Sequence, residues 1–197
     1  MRNRDDNKKE AILEHALKMI VQHGFDGLSM QKLAKAAGVS PATIYIYYKD
    51  RDDLLLQLFQ VHMTNYFGCI MQGFDPEMDF ATGLKTQWRN RANFVMKHPD
   101  VAHFMEHFSY TPLHYEAVKK IKANAMGDVI SRFVKKAIRN KQLVEMPIEV
   151  YWSVAFAPLY NLLRWNKTGN NMAGEKFKLT DDMMDQTLAL VLKALKP

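Results

Sequence analysis

Two short helical segments joined by a four-residue turn constrain this chain more than any other feature of its sequence. Ser29 can cap the first segment, because its hydroxyl can accept a free backbone N–H. Ser40 and Pro41 make a strong start for the second, since proline is tolerated at the first helical position. The turn, residues 37–40, contains Gly38, as helix-turn-helix motifs often do. This spacing predicts two crossed helices, of which the second enters the major groove of DNA.

The second helix separates its side chains into distinct faces at about 100° per residue. Ile44 and Tyr48 share one face, which we expect to pack on the preceding helices, including Ile20 and Phe25. Ala42 and Ile46 lie opposite, toward the floor of the groove. The flanks carry Thr43 and Tyr47 on one side, and Pro41 and Tyr45 on the other. Hydroxyl groups on both flanks suit the two phosphate backbones that border a groove.

One segment, residues 24–55, resembles the DNA-binding domain of the TetR family of bacterial transcriptional regulators; it reads GFDGLSMQKLAKAAGVSPATIYIYYKDRDDLL. The resemblance is carried by the Ala-Gly-Val-Ser turn, the Thr-x-Tyr-x-Tyr-Tyr segment and the acidic-leucine start of the next helix. Tyr48 stands where phenylalanine is usual. The resemblance implies an all-α protein of about nine helices, with a ligand pocket in helices 5 to 7 and a dimer interface of helices 8 and 9.

The resemblance also assigns DNA contacts to single residues. Phosphate contacts fall to Ser29, Thr43, Tyr45, Tyr47 and Lys49, and base contacts to Gln31, Pro41 and Ala42. Ser40 and Ile46 complete the candidate set. Ala42 and Ile46 cannot hydrogen-bond a base and suit a thymine methyl group, whereas the amide of Gln31 suits adenine. We therefore expect operator half-sites that contain A and T.

Helical periodicity continues through the rest of the chain. The predicted helices are residues 4–23, 29–36, 40–48, from 50 towards 67, 76–97, 99–110, 112–140, 147–166 and 180–195. We expect residues 1–52 to form a three-helix DNA-binding domain and residues 53–197 a helical effector-binding and dimerisation domain. The last two helices are apolar on more than one face, so they must be buried on more than one side, and the resemblance implies a homodimer through them.

Aromatic, methionine and histidine side chains at helical spacing suggest a mostly apolar pocket for a small apolar or aromatic effector. The candidates are Trp88, Phe94, His98, His103, Phe104, His107, Phe108, Tyr110, Trp152, Phe156 and Tyr160. The charge of this pocket stays open, because Arg89, Arg91 and Glu106 can face either inward or outward.

Residues 103–107 match the His-x-x-Glu-His pattern of some zinc proteases, with both histidines on one helical face. A zinc hydrolase needs a third ligand and an open coordination position, and the sequence supplies no clear third ligand. A metal-sensing regulator, with His98 and His114 nearby, and a regulator without a small-molecule effector remain alternatives. We expect no cofactor and no enzymatic activity.

Composition indicates the cellular compartment in which the protein folds. The single cysteine, Cys69, excludes a disulfide scaffold and fits a reducing compartment. No apolar run approaches the roughly 18–20 residues of a membrane span, so we expect a cytoplasmic protein without a membrane partner.

The net charge is +6, yet residues 1–50 carry only eight basic against six acidic residues. The prediction of DNA binding therefore rests on the helix-turn-helix and not on charge. With the resemblance and the pocket candidates, it leads to a ligand-responsive repressor that binds a palindromic double-stranded DNA operator as a homodimer.

Overall fold

The computed structural model of the chain describes residues 4–121 and 126–197. The described residues form eleven α-helices and one short 3₁₀ helix, Phe25–Gly27, with no strand beyond an isolated bridge between Asn170 and Lys176. The helices are α1 (Arg4–His23), α2 (Met30–Ala36), α3 (Pro41–Tyr47), α4 (Arg51–Ile70), α5 (Phe80–Lys97), α6 (Pro99–Phe108), α7 (Leu113–Ile121), α8 (Met126–Arg139), α9 (Ile148–Ala155), α10 (Ala157–Thr168) and α11 (Asp181–Leu195). The predicted all-α class is confirmed, whereas about nine helices was slightly too few.

The extra helices have identifiable origins. The predicted helix 147–166 divides into α9 and α10 at Phe156. Pro158 lacks the N–H that the carbonyl of Val154 would need in a continuous helix. The predicted helix 112–140 corresponds to α7 and α8, and its middle, residues 122–125, lies outside the described residues. α5 begins four residues later than predicted, where the side chain of Asp79 accepts the backbone N–H of Thr82 at 3.0 Å.

The chain divides into two compact units, of which the first is the described part of Met1–Asn65 and His98–Lys122. Its core is apolar and draws on α1, α2, α3, the first part of α4, α6 and α7. Leu33, Ile44, Leu58 and Phe104 are fully buried there. The helix-turn-helix therefore has a continuous core beneath it.

The second unit is the described part of Tyr66–Lys97 and Ala123–Pro197. Leu84 and Trp88 of α5 pack in one core with α8 to α11, which contribute residues such as Phe133 and Leu159. Gly83 permits the close approach of α8, because a Cβ at this position would lie 2.4 Å from the ring of Phe133. None of the helices in the described residues is long and apolar enough to cross a membrane.

The predicted boundary at residue 52 concerns function, namely which residues bind DNA and which bind an effector. The two compact units divide the chain by packing, and their limit lies inside α4, between Asn65 and Tyr66. The functional boundary stays a prediction.

Candidate functional site

Side-chain caps and one glycine set the start of α3. The Oγ of Ser40 accepts the backbone N–H of Thr43 at 3.1 Å and pairs with its hydroxyl at 2.9 Å. Gly38 adopts φ 66°, the left-handed conformation that ends α2. Ser29 caps α2 in the same way, by accepting the N–H of Lys32 at 3.3 Å. The predicted caps are therefore present on both helices.

The inner face of α3 holds the helix in one orientation. Ile44 and Tyr48 are fully buried, as the helical periodicity predicted. The Tyr48 hydroxyl donates to the backbone carbonyl of Lys9 in α1 at 3.3 Å. Burial, with a smaller effect from Asp53, raises the pKa of Tyr48 above its usual range, so this hydroxyl stays a neutral donor.

The outer face of α3 presents the side chains predicted to contact DNA. Ile46 is 76% exposed and Tyr45 is 54% exposed. Pro41 and Ala42 are exposed beside them. Tyr47 is half-buried and packs against the core of the first unit, so its ring is less available than that of Tyr45.

The remaining DNA-binding candidates lie around this face or at its edges. Gln31 on α2 and Lys49 after α3 are exposed, as is Ser40, while Ser29 and Thr43 are half-buried. The Lys49 backbone N–H donates to Asp53 Oδ2 at 2.9 Å, which fixes the chain between α3 and α4.

Arg51 joins α4 to the segment before α2, a contact that the sequence reasoning did not find. Its Nε donates to the carbonyl of Leu28 at 3.2 Å, and its Nη2 donates to the carbonyl of Phe25 at 2.5 Å. Charged donors make comparatively strong hydrogen bonds. The start of α4 is thereby fixed to the helix-turn-helix.

The predicted effector residues fall into two groups, one in each compact unit. Phe104 and Phe108 are fully buried in the first unit, where Phe108 stacks on Phe59 with ring centroids 4.4 Å apart. The other members of this group are His98, His103, His107 and Tyr110, of which only His103 is half-buried and the rest are exposed. α6 therefore contributes to the core that supports α1 and α4, and any ligand contact by these residues stays a prediction.

The histidines of α6 lie side by side, with the ring centroids of His103 and His107 4.2 Å apart. No group of three or more His, Cys, Asp or Glu side chains in the described part of the chain is arranged to hold a metal ion.

The second group surrounds the middle of α5. Trp88 is fully buried, and its Nε1 donates to the carbonyl of Ala155 at the break between α9 and α10, at 2.7 Å. Trp152 packs on Phe156 with ring centroids 4.8 Å apart and, more loosely, on Tyr160 at 6.5 Å. The last member, Phe94, is buried in the same unit, where its ring meets Tyr66 edge-on at 5.0 Å.

Arg91 lies at the centre of this second group, where the sequence had left its direction open. Its side chain is buried, with 5% of the residue exposed. Nη1 donates to the hydroxyls of Tyr66 and Tyr160, the latter at 3.3 Å, and Nη2 donates to Gln87 Oε1 at 3.2 Å. Although burial opposes the charge, the two tyrosines raise the pKa of Arg91, so the guanidinium stays charged.

Tyr66 and Gln87 were missed by the sequence reasoning, although a signal was available for Gln87. Leu84, Gln87, Trp88 and Arg91 recur at intervals of three and four residues, which places them on one face of a helix. Since Leu84 and Trp88 are core residues, the two polar side chains that share their face, Gln87 and Arg91, are expected to be buried as well.

The helix α3 follows a glycine turn, buries one apolar face and exposes the other face to solvent. This arrangement defines a helix-turn-helix DNA-binding protein. The model of the tetR family of bacterial regulatory proteins matches residues 12–58. The helix-turn-helix of this chain is that of the TetR family of transcriptional regulators, and the predicted resemblance is confirmed.

Several known proteins are similar to this chain. An uncharacterised HTH-type transcriptional regulator of Haemophilus influenzae is 28% identical over 137 residues, which cover 70% of this chain and 73% of that protein. The crystal structure of a TetR family transcription regulator from Marinobacter aquaeolei VT8 has a TM-score of 0.81 and 27% identity, covering 100% of this chain and 99% of that one. The HTH-type transcriptional repressor AcnR of Corynebacterium glutamicum is 33% identical over 52 residues, or 26% of this chain and 28% of the repressor.

Proposed function

We propose that this regulator is a cytoplasmic repressor that binds a palindromic DNA operator as a homodimer and is released by a small effector. The observation that carries the proposal is the outer face of α3, where Ile46 and Tyr45 are exposed although neighbouring Ile44 and Tyr48 are fully buried. An isoleucine that is 76% exposed has no role in the core, but it fits a groove that carries thymine methyl groups. The name of the repressor AcnR supports the sign of regulation.

In this proposal the functional residues divide into base and phosphate contacts. Gln31, Pro41, Ala42 and Ile46 face the bases, and Ser40 caps the helix that presents them. Contacts with phosphate come from Ser29, Thr43, Tyr45, Tyr47 and Lys49. The DNA-binding domain then comprises residues 1–52, as the sequence predicted.

Apolar side chains on α9 and α11 support a homodimer through the last helices. Ile148 is 62% exposed and Leu190 is 69% exposed, and Val150 and Met183 are exposed on the same two helices. Burial of such surface against a second copy removes it from water, which favours association. Two copies of α3 about 34–36 Å apart would then contact successive major grooves of a palindrome.

The effector acts, in this proposal, by changing the relative populations of two arrangements of the dimer. α4 can transmit the change, because Arg51 at its start is bonded to the carbonyls of Phe25 and Leu28, and Tyr66 near its end contacts Arg91. The effector residues of α5, α9 and α10 would bias α4 and thereby the spacing of the two DNA-binding domains.

Selection of binding sites from random duplex DNA, followed by gel-shift titration, tests the DNA-binding proposal. We expect inverted repeats whose half-sites contain A and T. Lys49→Ala should weaken binding to all sequences and lower the slope of log affinity against log salt by about 1. Lys167→Ala is the matched control, because Lys167 is an exposed lysine of α10. Half-sites rich in G, or a Lys49→Ala protein with an unchanged salt slope, would contradict the docking proposed for α3.

A further inference from the structure

A charged side chain lies inside the second unit without a charged partner among the described residues. Arg91 is buried at the middle of α5, and its hydrogen-bond partners, Tyr66, Tyr160 and Gln87, are all neutral groups. Burial is the main cause that raises the pKa of Tyr66 above its usual range, so its hydroxyl does not supply a negative charge.

The acidic side chains near α5 are engaged elsewhere. Arg89 pairs with Asp181 at 2.9 Å and with Asp185 at 3.0 Å, and Lys85 also approaches Asp185, at 3.5 Å. Within residues 4–121 and 126–197, no carboxylate forms an ion pair with Arg91. The charge of Arg89 is therefore balanced by carboxylates at the surface, whereas the charge of the buried Arg91 is not.

The hydrogen-bonding capacity of Arg91 is also incomplete. A guanidinium has five N–H groups. Three of them have acceptors, and the Nε–H is buried without one. Nε and Nη2 lie on the same edge of the guanidinium plane, the edge that binds a carboxylate through two parallel N–H···O bonds.

The rings around this cation indicate what such a carboxylate would be attached to. The guanidinium carbon lies 4.4 Å from the ring centroid of Phe156, 5.3 Å from that of Trp152 and 5.6 Å from that of Tyr66. Phe156 is buried, whereas Trp152 is 45% exposed and forms the outer margin of the cluster. An aromatic or apolar body attached to a carboxylate at Arg91 would therefore contact these rings.

We infer that Arg91 anchors the carboxylate of a monoanionic organic acid with an aromatic or apolar body, and that this acid is the effector. One planar carboxylate supplies the single negative charge that one guanidinium needs. A phosphate group would bring a second charge into an apolar cluster without a second cation. The inference rests on the proposed function, and it adds the charge of the effector, which the sequence left open.

The anchor also offers a route to α4. Tyr66 is a residue of α4 and accepts a hydrogen bond from the guanidinium that would hold the acid. An acid on the Nε edge of Arg91 changes the partners of the same group that holds Tyr66. Ligand binding and the position of α4 are thereby linked through one side chain.

Thermal-shift and tryptophan-fluorescence titrations of the full chain test the inference with matched probes. The probes are acetate, benzoate, 2-naphthoate and decanoate, each with its neutral primary amide, at constant ionic strength. We expect the larger acids to bind and their amides not to bind. Arg91→Gln should weaken acid binding by about 30-fold or more, since loss of one partner of a buried charge pair has effects of this size. Arg91→Lys should retain part of the binding, because it keeps the charge and loses the fork.

Arg89→Gln is the control, since it removes an arginine from the same helix but from a partly exposed ion pair. Acid binding that survives Arg91→Gln, amides that bind as well as acids, or no response of the wild-type chain to any acid would each overturn the inference. An Arg91→Gln protein that loses its dimeric state but keeps acid binding would instead assign the charge to a subunit interface, and would also overturn it. Gel shifts on the same samples separate this result from failure of DNA binding, because Arg91 lies outside the DNA-binding surface.

Discussion

The outer face of α3 and the cluster around Arg91 place unusual side chains in opposite environments. On α3 an apolar residue, Ile46, is exposed, whereas on α5 a charged residue, Arg91, is buried. An exposed isoleucine loses little stability and is available to a partner. Taking an ion out of water costs several kcal/mol, of which cation–π contacts return about 2 kcal/mol. The exposed Ile46 thus lowers the stability of the fold very little. The buried charge of Arg91, by contrast, lowers it by more than its ring contacts restore.

The largest expected effect separates two tryptophans of the effector region. Trp88→Ala should lower the free energy of unfolding by about 3–5 kcal/mol, because it opens a cavity in the core and leaves the Ala155 carbonyl without its donor. Trp152→Ala should cost about 1 kcal/mol or less, since this side chain is close to half exposed. Chemical denaturation of both variants measures the difference. Equal losses would show that Trp152 is as much a core residue as Trp88.

The next effect divides two isoleucines of one helix. Ile44→Ala should lower the free energy of unfolding by about 3 kcal/mol, because the side chain is fully buried. Ile46→Ala should change it by less than about 0.5 kcal/mol, as for other exposed positions. Its affinity for the selected operator should nevertheless fall by about 1 kcal/mol through the lost thymine contact. Unfolding curves and gel shifts of the two variants measure both quantities. An Ile46→Ala protein with unchanged operator affinity would remove the argument for the outer face.

A smaller effect distinguishes an exposed apolar residue of α11 from one in the loop before it. Leu190→Glu should raise the dissociation constant of the dimer by about tenfold or more, or about 1.4 kcal/mol, because it places a charge in the proposed interface. Met172→Glu is the control, because Met172 is more exposed still and lies between α10 and α11. Sedimentation velocity over a range of concentrations measures the shift. A dimer that tolerates both substitutions equally must associate through another surface.

The smallest expected effect is a pH dependence in the first unit. Burial, and then the neighbouring His98, hold the pKa of His62 below its ordinary value of 6.5. The unfolded chain therefore binds a proton more readily than the folded one, so stability is present above pH 6.5 and declines as the pH falls below it. His62→Gln should make the decline shallower. Thermal unfolding between pH 5 and pH 8 measures the decline in stability. A decline that is steeper in the variant would contradict the role of His62 in this pH dependence.

The sequence predicted the helix-turn-helix well because local physics decides it. Ser29, Gly38, Ser40 and Pro41 act on their own neighbours, and the spacing of Ile44, Ile46 and Tyr48 assigns buried and exposed faces without knowledge of the rest of the fold. The structure confirms those faces. Tyr47 is the exception, because its half-burial depends on the core beneath α3 and not on its own helix.

The effector region was harder to predict because its geometry is not local. The contacts of Arg91 join α5 to Tyr66 of α4 and to Tyr160 of α10, which are 25 and 69 residues away in sequence. Helical spacing could have placed Arg91 and Gln87 inside, but no spacing identifies the distant tyrosine partners of Arg91. The break at Phe156 was missed because a single proline inside a helical pattern, here Pro158, is equally compatible with a continuous, kinked helix.

The two hydrogen bonds that Arg51 donates to the segment before α2 affect which substitutions this protein can accept during evolution. Its acceptors are the main-chain carbonyls of Phe25 and Leu28, which every residue type possesses. Substitutions at those two positions can alter side-chain packing and still leave both acceptors in place. Replacement of Arg51 removes both bonds at once. These two bonds between α4 and the helix-turn-helix therefore depend on the identity of one residue, Arg51, and tolerate substitution at both positions that accept them.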